Sequence, residues 1–215
     1  MRSFVKQWIF KFAPFLNRIP FLNHIRVNGC GTELYGLLLQ CHIVSHGHNN
    51  VIKIGRGGVL KNCKLSISGD NNIIEIAESV HIIDGDFCIE DSNNRIFIDE
   101  KSSLCGKIHL AATEGTEIRI GKGCLFSSEI VFRTGDSHPI LDMEGNRINY
   151  AKNIVVEDNV WIGHRVLINK GVILPKGTIV GTGAVVTNAF NEENTVIAGN
   201  PAKTIKKNVQ WKHER

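Results

Sequence analysis

Proline is scarce in this chain of 215 residues, which contains only 5 prolines beside 21 glycines. A collagen-like or low-complexity chain would need far more proline, so both classes are excluded. The sequence also lacks an unbroken apolar run of 18 residues, because Lys6, Lys11, Pro14 and Arg18 divide the apolar N-terminus. We therefore predict no membrane-spanning helix, and no secretory signal is recognisable.

Blocks of basic residues, which would indicate a nucleic-acid surface, are also missing. The 25 Lys and Arg residues oppose 21 Asp and Glu residues, so the formal net charge is +4. This small positive excess favours anionic ligands, but it does not predict a nucleic-acid partner. The fractions of hydrophobic residues, 42%, and charged residues, 21%, are typical of a soluble protein.

The cysteines form no C-x-x-C pair of the kind that indicates a zinc or redox site. The six cysteines are Cys30, Cys41, Cys63, Cys88, Cys105 and Cys124. We expect them to be reduced core thiols in a cytosolic protein. His42, His46 and His48 lie close together in "CHIVSHGHNN", but no acidic or cysteine partner accompanies them in the pattern of a metal site. The sequence therefore predicts no metal.

Residues 1–28 have the pattern of an amphipathic helical segment. Its apolar residues at helical spacing are Phe4, Val5, Trp8, Ile9, Phe12, Phe15 and Leu16. Arg2, Lys6 and Lys11 fall elsewhere on the helical wheel. Two interpretations stay open: the helix packs on the protein or a partner subunit, or residues 1–20 rest on an anionic membrane surface.

An internal repeat dominates the N-terminal half of the chain. Segments that begin at Asn49, Asn71 and Asn93 follow one another at intervals of 22 residues, and a fourth begins at Gly115. Each segment places a variable residue between two apolar ones, as in Ile52–Ile54. This alternation predicts a strand with one buried face.

The repeat shortens to six residues in the C-terminal half. Aliphatic residues six apart are Val156, Ile162, Ile168, Leu174, Val180 and Val186. Each six predicts a short strand and a turn, so three sixes make one triangular coil, and stacked coils bury their aliphatic ladders. The predicted fold is an all-β solenoid, a parallel β-helix, over residues 29–200, closed by a short cap helix over residues 201–215.

The stretch "RTGDSHPI", residues 133–140, interrupts this regular pattern. The spacing from Ile120 to Val156 exceeds one 22-residue coil, and the additional residues lie at about 134–153. A loop that leaves a solenoid can cover a substrate, which a flat strand corner cannot do. We therefore expect a loop here that leaves the solenoid and presents Asp136 and His138.

Three segments within residues 105–207 resemble the hexapeptide-repeat acyltransferases: "DSHPI", "NVWIGHRVLINKGVILPKGTIVGTGAVVT" and "IAGNPAKTIKK". They are most similar to the maltose, galactoside and nodulation-factor sugar O-acetyltransferases and to enzymes that modify capsule, lipopolysaccharide and colanic acid. The resemblance implies a left-handed β-helix, an exception to the usual right-handed crossover. It also implies acetyl-CoA as co-substrate, a saccharide acceptor, and a homotrimer with active sites between subunits. We expect an O-acetyltransferase of bacterial surface polysaccharide, cytoplasmic or at the inner membrane face.

By this resemblance His138 occupies the family's His-Pro position and is expected to be the general base. A sugar hydroxyl is a poor nucleophile at neutral pH, and a neutral imidazole can accept its proton as the new C–O bond forms. Pro139 restricts the backbone beside it. Asp136 is the nearest carboxylate and is expected to accept the second ring N–H of His138. Asp142, Glu144 or a carboxylate of a neighbouring subunit stay open as alternatives.

The resemblance places acetyl-CoA along the coils that follow the loop. The expected contacts are Trp161, Gly163, His164, Gly181, Thr182, Thr187, Lys203 and Lys206. Trp161 suits the pantetheine arm or a subunit interface, and the two lysines suit the phosphates of CoA. His164 replaces a residue that is often small in the family, and Asn188 replaces a common lysine, so one phosphate contact is in doubt.

The acceptor and two further activities stay open from the sequence alone. Arg133, Arg147 and Asn149 are available in or beside the loop for sugar hydroxyls or a carboxylate. Transfer to the amine of an amino sugar or an antibiotic would use the same base. A metal-dependent hydratase, like the γ-class carbonic anhydrases, would need three histidines around one interface, and the coils supply no such set.

Overall fold

A computed structural model describes residues 10–19 and 21–214, and β-strands make up most of the regular secondary structure of this part of the chain. Among the described residues, 10–16 are helical. The first nine residues of the predicted amphipathic helix lie outside the described residues. Within the described part, no helix is long and apolar enough to cross a bilayer.

The strands follow one another at the intervals of the sequence repeat. The first eleven are β1 His24–Val27, β2 Cys30–Leu34, β3 Leu37–Leu39, β4 His42–His46, β5 Asn50–Ile54, β6 Val59–Lys61, β7 Lys64–Ser68, β8 Ile73–Ile76, β9 His81–Glu90, β10 Arg95–Ile98 and β11 Ser103–Ala112. The others are β12 Glu117–Ile120, β13 Leu125–Phe126, β14 Ile130–Arg133, β15 Ile154–Val156, β16 Trp161–Ile162, β17 Leu167–Ile168, β18 Ile173–Leu174, β19 Ile179–Val180, β20 Val185–Val186, β21 Val196–Gly199 and β22 Ala202–Lys206. The strands from β16 to β20 have two residues each, where the sequence period falls to six.

Parallel pairing stacks the strands into three faces. Face 1 consists of β2, β5, β8, β10, β12, β15 and β18. Face 2 consists of β3, β6, β13, β16, β19 and β21. Face 3 consists of β1, β4, β7, β14, β17 and β20. The long strands β9 and β11 turn the corner between faces 2 and 3, so each contributes to both.

The aliphatic ladders predicted from the repeat form the core. Ile52, Ile74, Ile96 and Ile118 stand in register on face 1 and are completely buried. Burial of an isoleucine side chain contributes about 1.5–3 kcal/mol relative to its exposure. Because every coil adds such residues to the same ladder, the solenoid is stabilised along its whole length.

The repeated Asn-Asn pairs form a second, polar ladder at one corner. Asn50, Asn72 and Asn94 are completely buried. The side-chain oxygen of Asn50 accepts the backbone N–H of Asn72 at 2.9 Å, and that of Asn72 accepts the N–H of Asn94 at 2.8 Å. Thr116 donates its N–H to Asn94 at 3.0 Å and ends the ladder. Each buried amide thus satisfies the backbone of the next coil.

The first coil and the helical segment are joined more closely than the sequence indicates. Strand β1 begins at His24, inside the predicted N-terminal segment of residues 1–28, and pairs with β4. Asn17 is buried; its side chain donates to the carbonyl of Gly36 at 2.8 Å and accepts the N–H of Leu38 at 2.9 Å. The end of the helical segment is therefore docked on the solenoid, in agreement with the first of the two interpretations for these residues.

The C-terminal cap helix predicted over residues 201–215 is wrong for the described part of that range. Strand β22 pairs antiparallel with β21 instead, and residues 207–214 are not helical. The physical reason lies in the lysines at positions 203, 206 and 207. They would lie three and four residues apart on one side of a helix, where like charges repel.

Candidate active site

Residues 134–153 connect β14 on face 3 to β15 on face 1, so they leave the solenoid at the corner between these faces. Within this loop Leu141 and Arg147 form an isolated antiparallel bridge. The N–H of Ile148 donates to the carbonyl of Ile140 at 2.9 Å. The loop that carries Asp136 and His138 is therefore a folded hairpin-like excursion.

Asn149 holds the two sides of this loop together. It is only 7% exposed. Its side-chain nitrogen donates to the carboxylate of Asp136 at 2.9 Å and to the carbonyl of His138 at 2.8 Å. Its side-chain oxygen accepts the N–H of Ile140 at 2.7 Å and the Nε of Arg147 at 3.2 Å. All four hydrogen-bonding positions of the amide are occupied, so Asn149 is not available for the sugar contact that the sequence left open.

Asp136 is bound on its other side by Lys170. The ammonium of Lys170 forms an ion pair with the Asp136 carboxylate and also donates to the carbonyl of Asn149 at 2.8 Å. Lys170 lies between β17 and β18, one coil further along the same corner. The ammonium of Lys170, followed by the amide of Asn149, holds the pKa of Asp136 below its ordinary value.

His138 is exposed. Its backbone N–H donates to the backbone carbonyl of Asp136 at 2.8 Å. No described residue, however, forms a hydrogen bond with its ring. The expected contact between the Asp136 carboxylate and the imidazole is not formed within one chain, because Lys170 and Asn149 occupy that carboxylate. The catalytic roles of both residues stay predictions.

The ion pair of Lys170 with Asp136 gives a test of the loop's electrostatics. Because the folded-state pKa of Asp136 is lowered, the pair stabilises the fold above the ordinary pKa of 3.8 and loses this effect as the pH falls through the folded-state value. We expect Lys170→Met to lower the free energy of unfolding by about 1 kcal/mol or less near neutral pH, since the pair is partly exposed. The difference should shrink in acid.

Urea unfolding at about pH 6 and about pH 2.5 measures this difference. Lys152→Met is the matched control, because Lys152 lies in the same surface cleft and forms no ion pair with a described residue. A destabilisation by Lys170→Met that is equal at both pH values would contradict the role assigned to the pair.

Trp161 and Gly163 lie on face 2, at the corner that leads to face 3. The indole of Trp161 is 40% exposed. Gly163 is buried, and a Cβ at this position would lie 2.9 Å from both the backbone nitrogen of Thr182 and the carbonyl oxygen of Val180. Only glycine therefore permits the two coils to approach this closely.

His164 follows at the same corner and is oriented by its neighbour. Its Nδ1 lies 2.9 Å from the hydroxyl of Ser128 and 3.1 Å from the carbonyl oxygen of Ser128. The carbonyl of His164 accepts the N–H of Gly183 at 2.8 Å. Coil stacking thus places His164 beside Gly183 and Gly163 beside Thr182, and their role in cofactor binding stays a prediction.

The remaining residues predicted for the cofactor fall into two groups. A Cβ at Gly181 would lie 2.9 Å from the Cβ of Ala198, and Lys203 stands opposite Ala198 in the β21–β22 pair. Gly181, Lys203 and the nearby Lys206 therefore continue the strip from Gly163. Thr187, in contrast, lines the cleft of Asp136 and Lys170 at the other end of face 3.

Within one chain, the loop of His138 and the Trp161–His164 corner are far apart in the triangular cross-section. The loop leaves between faces 3 and 1, and His164 lies between faces 2 and 3. The strands β14, β17 and β20 of face 3 separate them. One chain alone therefore does not bring the predicted base to the predicted cofactor strip.

Sequence reasoning missed Lys170, Ser128 and Trp211. Lys170 and Ser128 meet their partners only through coil stacking, because they lie 34 and 36 residues from Asp136 and His164. The six-residue period could have predicted these contacts, since it assigns each residue to a corner and so shows which residues of neighbouring coils are stacked. No repeat extends to Trp211, whose ring centroid lies 6.1 Å from that of Trp161.

Comparison with known proteins gives consistent relatives, although no family model matches the chain. It is 38% identical over 130 residues to a polysialic acid O-acetyltransferase of Escherichia coli O1:K1 / APEC, covering 60% of this chain and 41% of the relative. A polysialic acid O-acetyltransferase of Neisseria meningitidis is 35% identical over 125 residues, 58% of each protein. The chain thus spans about half the length of these curated relatives.

A solved structure matches the chain over more of its length. The polysialic acid O-acetyltransferase OatWY is 32% identical, with 90% of this chain and 89% of that chain covered and a TM-score of 0.74. This likeness confirms the predicted left-handed parallel β-helix.

Proposed function

We propose that this chain, which belongs to the left-handed β-helix acyltransferase family that includes the capsule sugar O-acetyltransferases, transfers an acetyl group from acetyl-CoA to a saccharide hydroxyl. The observation that carries the proposal is His138, an exposed imidazole on a loop fixed by Asn149. The acceptor is a bacterial surface polysaccharide. The relatives are named for polysialic acid, and the net charge of +4 suits an anionic polymer.

In this mechanism His138 accepts the proton of the acceptor hydroxyl while the hydroxyl oxygen attacks the acyl carbon. Acetyl-CoA supplies the acetyl group as a thioester. When the C–S bond breaks, the imidazolium can give its proton to the departing thiolate sulfur, so CoA leaves as the thiol and the base is regenerated.

The strip from Gly163 through Gly181 to Ala198 supports a site for the pantetheine arm. Glycine at the first two positions lets successive coils approach closely along this strip, and Trp161 provides a flat apolar group at one end. Lys203 and Lys206 are exposed at the other end. Their ammonium groups would bind the phosphates of CoA.

Charge reversal at these lysines gives a specific expectation. In the double variant Lys203→Glu, Lys206→Glu, the KM for acetyl-CoA should rise about 10-fold or more, because each lost phosphate contact costs about 1 kcal/mol. The kcat at saturating acetyl-CoA should change by less than about 2-fold. Initial rates over a range of acetyl-CoA concentrations measure both.

Lys61→Glu is the control for a change of charge, because Lys61 is also exposed but lies on β6 in the N-terminal half. An unchanged KM together with a large loss of kcat in the double variant would show that the lysines do not bind the cofactor.

The separation of His138 from Trp161 within one chain supports a homotrimer in which the loop of one subunit meets the Trp161 corner of the next. The loop exposes large apolar side chains suited to such a contact: Ile140, Leu141, Met143, Ile148 and Tyr150. A three-sided solenoid can pair its faces by threefold symmetry. Sedimentation equilibrium distinguishes a trimer from a monomer.

A cytoplasmic location, with residues 1–20 in contact with the inner membrane face, is part of the proposal. Phe15 and Phe21, at the end of the solenoid, are 72% and 87% exposed. Such apolar groups beside basic residues suit an anionic bilayer surface. Cosedimentation with anionic vesicles, and its absence with neutral vesicles, would support this contact.

The activity itself is tested by thiol release from acetyl-CoA in the presence of different acceptors. Polysialic acid, a neutral polysaccharide and an amino sugar form the panel, and NMR of the product locates the acetyl group. We expect thiol release that depends on a saccharide and an ester on a hydroxyl. If only the amine is acetylated, the chain is an N-acetyltransferase and the proposed O-transfer is wrong. If no thiol is released with any acceptor, the whole proposal is refuted.

A further inference from the structure

The described C-terminal residues 207–214, here called the C-terminal strap, run back along the solenoid. The N–H of Val209 donates to the carbonyl of Asn194 at 2.9 Å, beside β21. The indole N–H of Trp211 donates to the carbonyl of Asn159 at 2.6 Å, beside β16. The strap therefore passes from the last coils toward the N-terminal half and ends next to face 2.

The strap builds one wall of a cleft beside Trp161. The rings of Trp161 and Trp211 are 6.1 Å apart and inclined at 44°, so they form a V-shaped aromatic pair. The floor is formed by residues of β11 and β13, and Lys212, His213 and Glu214 stand at the rim. The volume is about 470 Å³, within the range of small-ligand sites.

The chemistry of this cleft suits a sugar ring. A pyranose ring has a flat face of C–H groups and a polar edge. The flat apolar surface of an indole can pack against the C–H face. The charged and polar groups of Lys212, His213 and Glu214 can bind hydroxyl or carboxylate groups at the edge. An apolar cleft with a few polar groups at its rim is the usual form of such sites.

The position of the cleft separates it from the proposed cofactor strip. From Trp161 the cleft extends over β13 and β11, toward the N-terminal coils. Gly181 and Lys203 lie in the opposite direction along the solenoid. Trp161 thus stands between the two, where donor and acceptor would have to meet.

We propose that the cleft between Trp161 and Trp211 binds a sugar ring of the acceptor, and that the C-terminal strap is therefore part of the acceptor site. This inference rests on the proposed function, because only that function makes the bound sugar the acceptor of the acetyl group. The binding of a saccharide to the cleft is nevertheless measurable without any acetyl transfer.

The experiment uses the fluorescence of the full chain. The protein has three tryptophans, so in a Trp8→Phe background the emission comes from Trp161 and Trp211. Oligomers of sialic acid, a neutral oligosaccharide and CoA are titrated separately. We expect a saccharide to change the emission, and Trp211→Ala to weaken saccharide binding about 10-fold, as loss of one stacking aromatic costs about 1–1.5 kcal/mol. CoA binding should change by less than about 2-fold.

Phe21→Ala is the control for loss of an exposed aromatic group, because Phe21 lies at the opposite end of the solenoid. Trp211→Phe should retain most of the saccharide affinity, since it keeps a flat ring at this position. The inference would be overturned if Trp211→Ala left the saccharide affinity unchanged, or if it weakened the binding of CoA and not that of the saccharide. It would also be overturned if the Trp8→Phe protein bound no saccharide. A protein that binds saccharide through Trp211 but transfers no acetyl group would refute only the proposed function.

Discussion

Replacement of His138 by alanine is expected to lower kcat for acetyl transfer about 10²–10⁴-fold, the usual contribution of a general base. The affinity for acetyl-CoA should remain nearly unchanged, because the proposed role of His138 is to accept the proton of the acceptor hydroxyl, whereas the strip of Gly163 and Gly181 is proposed to bind the cofactor. Since the imidazole is exposed and no described residue bonds to its ring, its removal leaves no buried group unsatisfied. The variant should therefore fold normally, and steady-state rates report on chemistry alone.

Two controls make this result specific. His46→Ala removes another exposed imidazole, on β4 in the N-terminal half, and should retain full activity. His164→Ala tests the alternative base, because Ser128 orients the His164 ring. Near-normal turnover in His138→Ala, together with a large loss in His164→Ala, would transfer the role of base to His164.

A mixture of two inactive variants would locate the site between subunits. If His138 acts beside Trp161 of a neighbouring chain, co-assembled His138→Ala and Trp161→Ala chains should recover part of the activity, because some interfaces then carry both intact residues. No recovery in mixed trimers would place both residues of a working site on one chain, in conflict with their separation across face 3.

The repeat makes most of the fold predictable, because the position of a residue within the repeat determines its place on the solenoid coil. Ile52 and Ile74 are 22 residues apart in the sequence and adjacent in the structure. The same argument fails where the period ends. The sequence after residue 200 does not continue the repeat, so the pattern predicts neither the antiparallel strand β22 nor the contact of Trp211 with Trp161.

The sequence predicts which residues form the candidate site, but it predicts their hydrogen-bond and ion-pair partners less well. The loop of His138 is visible in the sequence because it interrupts the period. Asp136 was assigned to His138 because it is the nearest carboxylate along the chain, whereas stacking places Lys170 of the next coil beside it. The ion pairs at a corner of the solenoid are formed between residues of neighbouring coils. Spacing along one coil does not predict such pairs.

Asn149→Ala is expected to lower kcat about 100-fold, because a displacement of about 1 Å at a reacting group costs a factor of this size. The amide is the only side chain among the described residues that bonds to both the Asp136 carboxylate and the carbonyl of His138. Its removal leaves the N–H of Ile140 and the carbonyl of His138 without this partner. The KM for acetyl-CoA should stay within about 2-fold of its normal value, since no hydrogen bond of the Asn149 side chain reaches a residue of the cofactor strip.

Asn149→Asp separates positioning from simple packing. The aspartate keeps the size of the side chain and its acceptor for Ile140, but it replaces the donor to Asp136 by a second carboxylate, and like charges at this distance repel. We therefore expect a loss of kcat at least as large as that of Asn149→Ala. Asn146→Ala, an exposed residue of the same loop whose side chain donates to Asp142, should retain activity.

Limited proteolysis of residues 134–153 supplies the second measurement, because it reports the order of the loop independently of turnover. Faster cleavage together with lower kcat in both Asn149 variants, and neither change in Asn146→Ala, would establish Asn149 as the residue that positions His138. Faster cleavage with unchanged kcat would contradict this role, since the base would then work on a disordered loop. Unchanged cleavage with lower kcat would instead require a direct contact of Asn149 with substrate, although the fold leaves none of its four hydrogen-bonding positions free.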